Sequence, residues 1–351
     1  MEQLAEYQLH LRKEPLLQYL FLELTDQCNL ACAHCGSSCD SSNRNYLSEA
    51  VIRKVLLSIK EKRAPHSVLV CITGGEPMLH SDVCRIISMA RQFGFPVGMT
   101  TNGTLIDEDI ARQLRAAGLI TVSVSLDGIG TTHDSLRNRK GSFEDAIKGI
   151  AALRSAGFDP EAVTVIHRGN IGKLEEIYEF LNRNGFHAWR LVNMDPIGRA
   201  GSQERLLLDG RELKMLYDFI RNKRFDPANE MEVATSCSHF LGLEYEREVR
   251  DFYFQCGAGT RIASIMANGD IGACLDIEHR TELIQGNAYQ DDFMTVWESR
   301  YECFRQDRTN KSEVCADCEN RKICMGSAAH TWDFVNNEPN YCVYRQLKES
   351  E

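Results

Sequence analysis

The 351-residue sequence lacks the devices that would place a chain in or across a membrane. No apolar run reaches the roughly 20 residues that a bilayer-spanning helix needs. The opening MEQLAEYQLHLRKEPLL has no basic region followed by an uninterrupted apolar stretch, so it does not read as a secretion signal. A basic surplus is missing too: 40 Lys and Arg stand against 50 Asp and Glu, a formal net charge of -10 with both signs interspersed, which argues against non-specific nucleic-acid binding. Internal repeats, low-complexity tracts and flexible Gly/Ser linkers are absent, so the parts of the chain are expected to pack together. The chain is long enough to bury an ample core without covalent staples. Its 14 cysteines therefore need another explanation, and without a secretion signal they are expected to be reduced thiols in the cytoplasm.

The first two-thirds alternates short β-type runs with amphipathic helical ones. Residues 17–24, 67–73, 96–101, 120–126, 162–167 and 188–194 read as strands, being apolar or β-branched and bounded by Gly, Asp or Asn. Between them, SEAVIRKVLLSIKEK, DVCRIISMARQFG, DEDIARQLRAAG, SFEDAIKGIAALRSAG and LEEIYEFLNRNG carry apolar residues at helical spacing; Ser48 is a fitting N-cap for the first, and the other four end in Gly. Six strands each followed by a helix imply parallel crossover connections, and hence an open sheet or a partial or full barrel with its chemistry at the strand C-termini. The polar motifs obey that placement: QCNLACAHC follows the first strand, TGGEP the second, TTNGT the third and SLDG the fourth. After PIGRAGS and one further helical stretch the alternation stops near residue 230, and from Cys237 onward the chain is cysteine-rich, with a hairpin expected at Asn268-Gly269.

Three soft thiolates at Cys28, Cys32 and Cys35 suit zinc or an iron-sulfur cluster and exclude metals that require oxygen ligands. Three is the informative number. A closed zinc site wants four ligands, with Asp26 or His34 as the available fourth, whereas a cluster on three cysteines leaves one iron open.

The Cys-x3-Cys-x2-Cys spacing in the loop after a first strand, with the planar ring of His34 before the third Cys where Tyr, Phe or Trp is commoner, resembles the signature of radical S-adenosylmethionine (SAM) enzymes. TGGEP after the second strand resembles the segment with which that family meets the amino group of the methionine moiety. The resemblance implies a [4Fe-4S] cluster on Cys28, Cys32 and Cys35 whose open iron takes SAM, with an electron then breaking the sulfonium bond to give a carbon radical that abstracts hydrogen. It also implies that His34 lies near the adenine and that Gly74, Gly75 and Glu76 meet the methionine amino group. Ser125 and Asp127 of SLDG would stand at the strand end that reaches the ribose or carboxylate, with Asn102 of TTNGT one strand over as a further cofactor-binding candidate and Arg137 a candidate carboxylate partner.

A second cysteine pattern, Cys315-x2-Cys318-x5-Cys324 with Cys342 after a gap, resembles the SPASM extension of the same family, and implies one complete auxiliary iron-sulfur cluster; a four-thiolate zinc ribbon has the same spacing. Cys256 and Cys274 flank the Gly269 turn as ligands for another cluster, but the family places a further Cys four positions after Cys324, where this sequence has Ala328. One or two auxiliary clusters are therefore expected. Cys237 is a candidate third ligand, or a thiol that returns hydrogen to a substrate radical. His239 is a candidate further metal ligand, and Asp276, offset by one position from the catalytic Asp of sulfatase-maturing relatives, is a candidate base.

The fold expected is α/β, a partial (β/α)6 TIM-like barrel with a smaller Cys-rich C-terminal α+β domain. The boundaries expected are an N-terminal extension at 1–16, the barrel at 17–202, a bridging helical segment at 203–236 and the auxiliary-cluster domain at 237–351. The activity expected is hydrogen abstraction from a ribosomally synthesised peptide, ending in a thioether or carbon-carbon cross-link or in epimerisation, with flavodoxin or ferredoxin as electron donor and neither nucleic acid nor membrane as partner. Alternatives within the family are oxidation of Cys or Ser in a protein client and small-molecule or cofactor biosynthesis; outside it, a zinc-stabilised binding protein. With Cys28 so near the start, no N-terminal leader-binding domain is expected, so any leader would be met by the barrel, the C-terminal part or a separate protein.

Overall fold

A computed structural model describes residues 2–235 and 239–350. Helix α1 (Glu2–Lys13) precedes strand β1 (Tyr19–Glu23), and five crossovers follow in order: α2 (Glu49–Lys62) to β2 (Leu69–Thr73), α3 (Val83–Gln92) to β3 (Val97–Thr101), α4 (Glu108–Ala117) to β4 (Thr121–Ser125), α5 (Thr131–Arg137) and α6 (Ser142–Ser155) to β5 (Glu161–Ile166), and α7 (Leu174–Arg183) to β6 (Ala188–Asn193). The six expected strands and five expected helices are all present. The local signals act as anticipated: the Ser48 hydroxyl accepts from Val51 N–H at the start of α2, and α4 opens on the Asp107 carboxylate and stops at Gly118, left-handed at φ +93°. The seven-residue α5 escaped the periodicity, being too short to repeat a face.

The sheet extends beyond six strands at both edges. Helix α8 (Gly210–Phe225), opened by an Asp209/Glu212 capping box, leads to β7 (Glu232–Thr235), which pairs in parallel with β6 inside the segment expected to be only helical. After α9 (Leu243–Val249), strand β8 (Ile262–Ile265) pairs in parallel with β1, and β9 (Asp270–Gly272) and β10 (Gly286–Asn287) continue antiparallel. The order is β10-β9-β8-β1-β2-β3-β4-β5-β6-β7, one mixed sheet. Of the cysteine-rich C-terminal region, expected as an α+β domain, β8 to β10 join the main sheet, because β8 (IASI) is apolar enough to be buried beside β1, and Gly269, at φ +88°, turns β9 back as the expected hairpin. The rest of the C-terminal region is short pieces: α10 (Phe293–Ser299), α11 (Glu302–Arg305), α12 (Glu313–Ala316), α13 (Arg321–Cys324), the β11–β12 ladder (Trp332–Asp333 with Glu338–Pro339) and α14 (Val343–Glu349).

Alternation along the strands gives the sheet two unlike faces. Leu20, Val70, Val97, Val122, Ala162 and Trp189 are buried under the helices. Their neighbours on the other face, Phe21, Cys71, Thr100, Ser123, Ser125, Val163 and Arg190, are half-buried or exposed. Cys71, which the apolar run VLVCIT marks as a core thiol, lies on this open face, and Cys84 on α3 is only half-buried. No helix among the described residues is long and apolar enough to cross a membrane.

Candidate active site

The loop leaving β1 is folded back on itself before it meets anything else. Thr25 and Gln27 bridge to Tyr46 and Asp40, Cys28 N–H donates to Asp40 O at 2.9 Å, and both carboxylate oxygens of Asp26 accept from Asn45. Asp26 is thereby engaged away from the thiols. The loop then rests on the turn after β2: Gly75 N–H donates to Thr25 O at 2.7 Å and Glu76 N–H to Gln27 O at 2.9 Å. A Cβ on Gly75 would lie 2.2 Å from Gln27 O, and one on Gly74, at φ +134°, would lie 2.3 Å from Thr25 O, so only glycine lets the two loops meet this closely.

Cys28, Cys32 and Cys39 are buried in one nest around Leu30, with Cys35 packed against it. Burial, with crowding from Glu76, Cys32 and Cys35, pushes the Cys28 thiol up to about 12 against the help of the Leu30 N–H, and burial raises Cys32 as well. The Cys39 thiol, donating to Cys35, brings that sulfur down to about 6. Crowded, desolvated sulfurs of this kind ionise together only when a metal supplies the compensating charge, so the donor set fits an iron-sulfur centre. A single tetrahedral zinc would hold its sulfurs about 3.8 Å apart. Among the described residues the cysteines contribute no trio of ligand atoms within 4.8 Å of one another.

The residues expected to contact SAM lie in the first loop, at or just past the ends of β2, β3 and β4, and at the end of α5. His34 is half-buried with Nδ1 enclosed and unpartnered, and burial holds its imidazole neutral, down to about 3. The Glu76 carboxylate is fully buried and accepts from Thr101 Oγ1 (2.7 Å), Asn102 N (2.8 Å) and Met78 N (3.1 Å), so it locks the end of β2 to the end of β3. Asn102 Nδ2 donates to Asn29 Oδ1 at 2.8 Å, tying the TTNGT turn to the cysteine loop. Ser125 lies half-exposed on the open sheet face. Asp127 Oδ2 takes Arg137 Nε at 2.5 Å and Oδ1 takes Val165 N at 2.9 Å; burial alone would raise this carboxyl, but Arg137 foremost, with His34 and His133, holds it below the usual range. Arg137 Nη1 also reaches Cys32 Sγ at 3.8 Å, which puts this guanidinium against the thiol nest.

Two participants were not foreseen. Arg199, in PIGRAGS beyond β6, donates from Nε to Cys32 O and from Nη2 to Cys39 O, both at 2.8 Å, while Gly198 packs so closely that a Cβ would lie 2.1 Å from Gly36 O. Cys39 is the other; its four-residue spacing from Cys35 was the available signal.

In the C-terminal region Cys274 Sγ lies 3.9 Å from Asp276 Oδ2, and Cys256 is half-buried. Cys315, Cys318, Cys324 and Cys342 are half-buried free thiols that the fold brings into one electrostatic neighbourhood: Cys342 and Cys315 help burial to raise Cys324 to about 12, and Cys315 and Cys318 help to raise Cys342. Ala328 is buried and left-handed at φ +66°. Cys237 lies outside the described residues.

Comparison with known proteins agrees with this geometry. Residues 22–181 match the radical SAM superfamily, and residues 256–319 match SPASM, an iron-sulfur cluster-binding domain. The mycofactocin maturase MftC of Mycolicibacterium smegmatis is 30% identical across 87% of this chain and 76% of its own length. The AdoMet-dependent heme synthase of Nitratidesulfovibrio vulgaris is 28% identical across 94% of this chain and 93% of its own. Among solved structures, Streptococcus suis SuiB bound to precursor peptide SuiA superimposes with a TM-score of 0.75 at 20% identity, over 93% of this chain and 75% of that one. This chain belongs to the radical SAM superfamily and is an enzyme of its SPASM-bearing kind.

Proposed function

We propose that this enzyme modifies a ribosomally synthesised peptide by abstracting hydrogen from it, leaving a cross-link or an epimerised residue. The observation that carries the reading is the relation to MftC, named a maturase, together with the fold shared with SuiB, which was solved with its precursor peptide. In this reading Cys28, Cys32 and Cys35 hold a [4Fe-4S] cluster, Cys315, Cys318, Cys324 and Cys342 hold an auxiliary one, and Cys256 and Cys274 are the remainder of another. Bound at the three-cysteine site, the cluster and SAM supply the electron and the carbon radical that start the chemistry. The chain's own share is positional. Gly74 and Gly75 seat the cysteine loop, Arg199 clamps it, the Asp127–Arg137 pair holds a cation against Cys32, and the half-exposed sheet face with Ser125 offers the substrate surface.

The division of labour follows the sequence boundaries: extension 1–16, a partial (β/α)6 barrel 17–202, a bridge 203–236 and an auxiliary region 237–351. Asp276, beside Cys274, stands as candidate base, and a cytoplasmic flavodoxin or ferredoxin as electron source.

The test is anaerobic co-expression with each short reading frame flanking the gene, and mass spectrometry of the peptide in light and heavy water. A peptide lighter by a pair of hydrogens marks a cross-link, and deuterium gain without change in light water marks epimerisation. An unchanged peptide, from enzyme that cleaves SAM, overturns the reading. A second reading, modification of a carboxylated tetrapyrrole, is favoured by the nearly full-length relation to heme synthases; turnover of such a porphyrinoid by the same preparation would establish it.

A further inference from the structure

Among the described residues, one group of metal-ligating side chains has all its ligand atoms within 4.8 Å of one another, and it contains no cysteine. Asp195 Oδ1 lies 2.9 Å from His239 Nε2, and Asp195 Oδ2 lies 2.7 Å from His330 Nε2. Asp195 stands two residues past β6, His239 follows β7, and His330 sits in the turn between α13 and β11, so three remote parts of the chain converge here. All three side chains are enclosed, at 7%, 4% and 6% exposure. A supporting layer fixes them: Asn193 Nδ2 donates to Asp195 Oδ1 at 2.8 Å, the Tyr217 hydroxyl donates to Asn193 Oδ1 at 3.2 Å, and the Tyr341 ring packs edge-on against His239.

We propose that Asp195, His239 and His330 bind one divalent transition-metal ion of the zinc or iron(II) class, through nitrogen and oxygen ligands and without a thiolate. Two imidazoles and one carboxylate form a nitrogen-oxygen donor set of borderline hardness, suited to such ions and not to thiolate-bound clusters. A simple hydrogen-bonded bridge requires only that each imidazole reach the carboxylate. Here the two rings also meet edge to face at 5.4 Å, and the three ligand atoms all lie within 4.8 Å of one another. Ligands about 2.1 Å from a tetrahedral ion stand about 3.4 Å apart, so the imidazoles and the carboxylate must open from their 2.9 and 2.7 Å hydrogen bonds by about half an ångström to admit it. Binding then needs this small opening together with proton movement: a neutral imidazole moves its Nε2 proton to Nδ1, an imidazolium releases one to solvent, and no electron is transferred.

Three protein ligands leave coordination positions open for water or a substrate carboxylate. The ion also gives the Ala328–His330 turn, where a thiolate ligand is missing, a different anchor to the tip of β6. This inference does not depend on the nature of the substrate.

The test is an anaerobic titration of the cluster-loaded, full-length enzyme with Co(II), read by its visible absorption. The expected result is one Co(II) per chain with a spectrum of nitrogen and oxygen ligation. His330→Gln or Asp195→Asn should weaken binding by about 100-fold or more, and Asn193→Ala, which only loosens the carboxylate, by about 10-fold. Iron and sulfide contents of each variant, unchanged from the parent, establish that the clusters and fold are intact; His239→Gln replaces any variant that fails this check. Absence of Co(II) binding to the parent enzyme, a sulfur-to-cobalt charge-transfer band in its place, or an affinity that the histidine variants leave unaltered would overturn the proposal.

Discussion

Cys28, Cys32 and Cys35 hang from the end of a central parallel strand, whereas Cys315, Cys318, Cys324 and Cys342 sit on four-residue helices, in the turns between them and at the cap of α14. The first set is positioned by the sheet. Its loop is held by backbone bonds to the β2 turn, by the Asn102 side chain on that of Asn29 and by Arg199 on loop carbonyls, none of which needs a metal. The second set has little regular structure beneath it: α12 and α13 are a single turn each, and β11 and β12 are two residues long. Helices this short do not sustain themselves. The contrast is between a loop held by the sheet's own bonds and thiols that ride on single helical turns, which on the proposed reading lean on the cluster they would bind.

Removing a thiolate breaks the comparison most severely on the first side. Cys32→Ala should abolish reductive SAM cleavage, measured as 5'-deoxyadenosine, while circular dichroism stays that of the parent, because the loop's own bonds survive. Stripping iron anaerobically with a chelator should act on the second side: hydrogen exchange should accelerate across residues 302–345 and stay slow in β1 to β6. Equal protection in both regions would contradict the contrast. Gly75→Ala forces a Cβ onto Gln27 O and should cost about 3 kcal/mol in chemical denaturation, together with iron retention at the first site. Arg199→Gln removes two charged hydrogen bonds to loop carbonyls and should cost about 2 kcal/mol by the same measurement. The mildest change is Ser312→Ala: loss of the cap that accepts Cys315 N–H at 3.1 Å should cost about 1 kcal/mol and loosen the auxiliary thiols without touching SAM cleavage.

What could be read from the residues follows how local each signal is. The six strands announced themselves because each is a continuous β-branched or apolar run, and the polar motifs at their ends placed the thiol loop, the Gly-Gly turn and the Asn-Gly turn together. β7 was illegible because EVAT is four residues long and carries no alternation of its own. The hairpin at Gly269 was visible, but the parallel pairing of β8 with β1 was not, since nothing in IASI names a partner more than 230 residues upstream. Arg199 and Asp195 were hidden for the same reason: Arg199 meets the first loop only after β6 brings PIGRAGS back to it, and Asp195 meets His239 and His330 only once distant parts of the chain converge past β6. Arg137 was picked out as a carboxylate partner, and the structure adds its contacts with Asp127 and Cys32, which depend on a helix too short to be periodic.

The pairing of β8 with β1 also sets an order of assembly. The strand that presents the first cysteine loop has one neighbour, β2, available early in synthesis, but its other edge stays open until residue 262 has been made. An exposed edge on a nascent chain is a site for mispairing. A strand laid down late is therefore the one that closes the sheet beside the first, and a truncated chain ending before β8 would expose the edge of the very strand that carries the first cysteine loop.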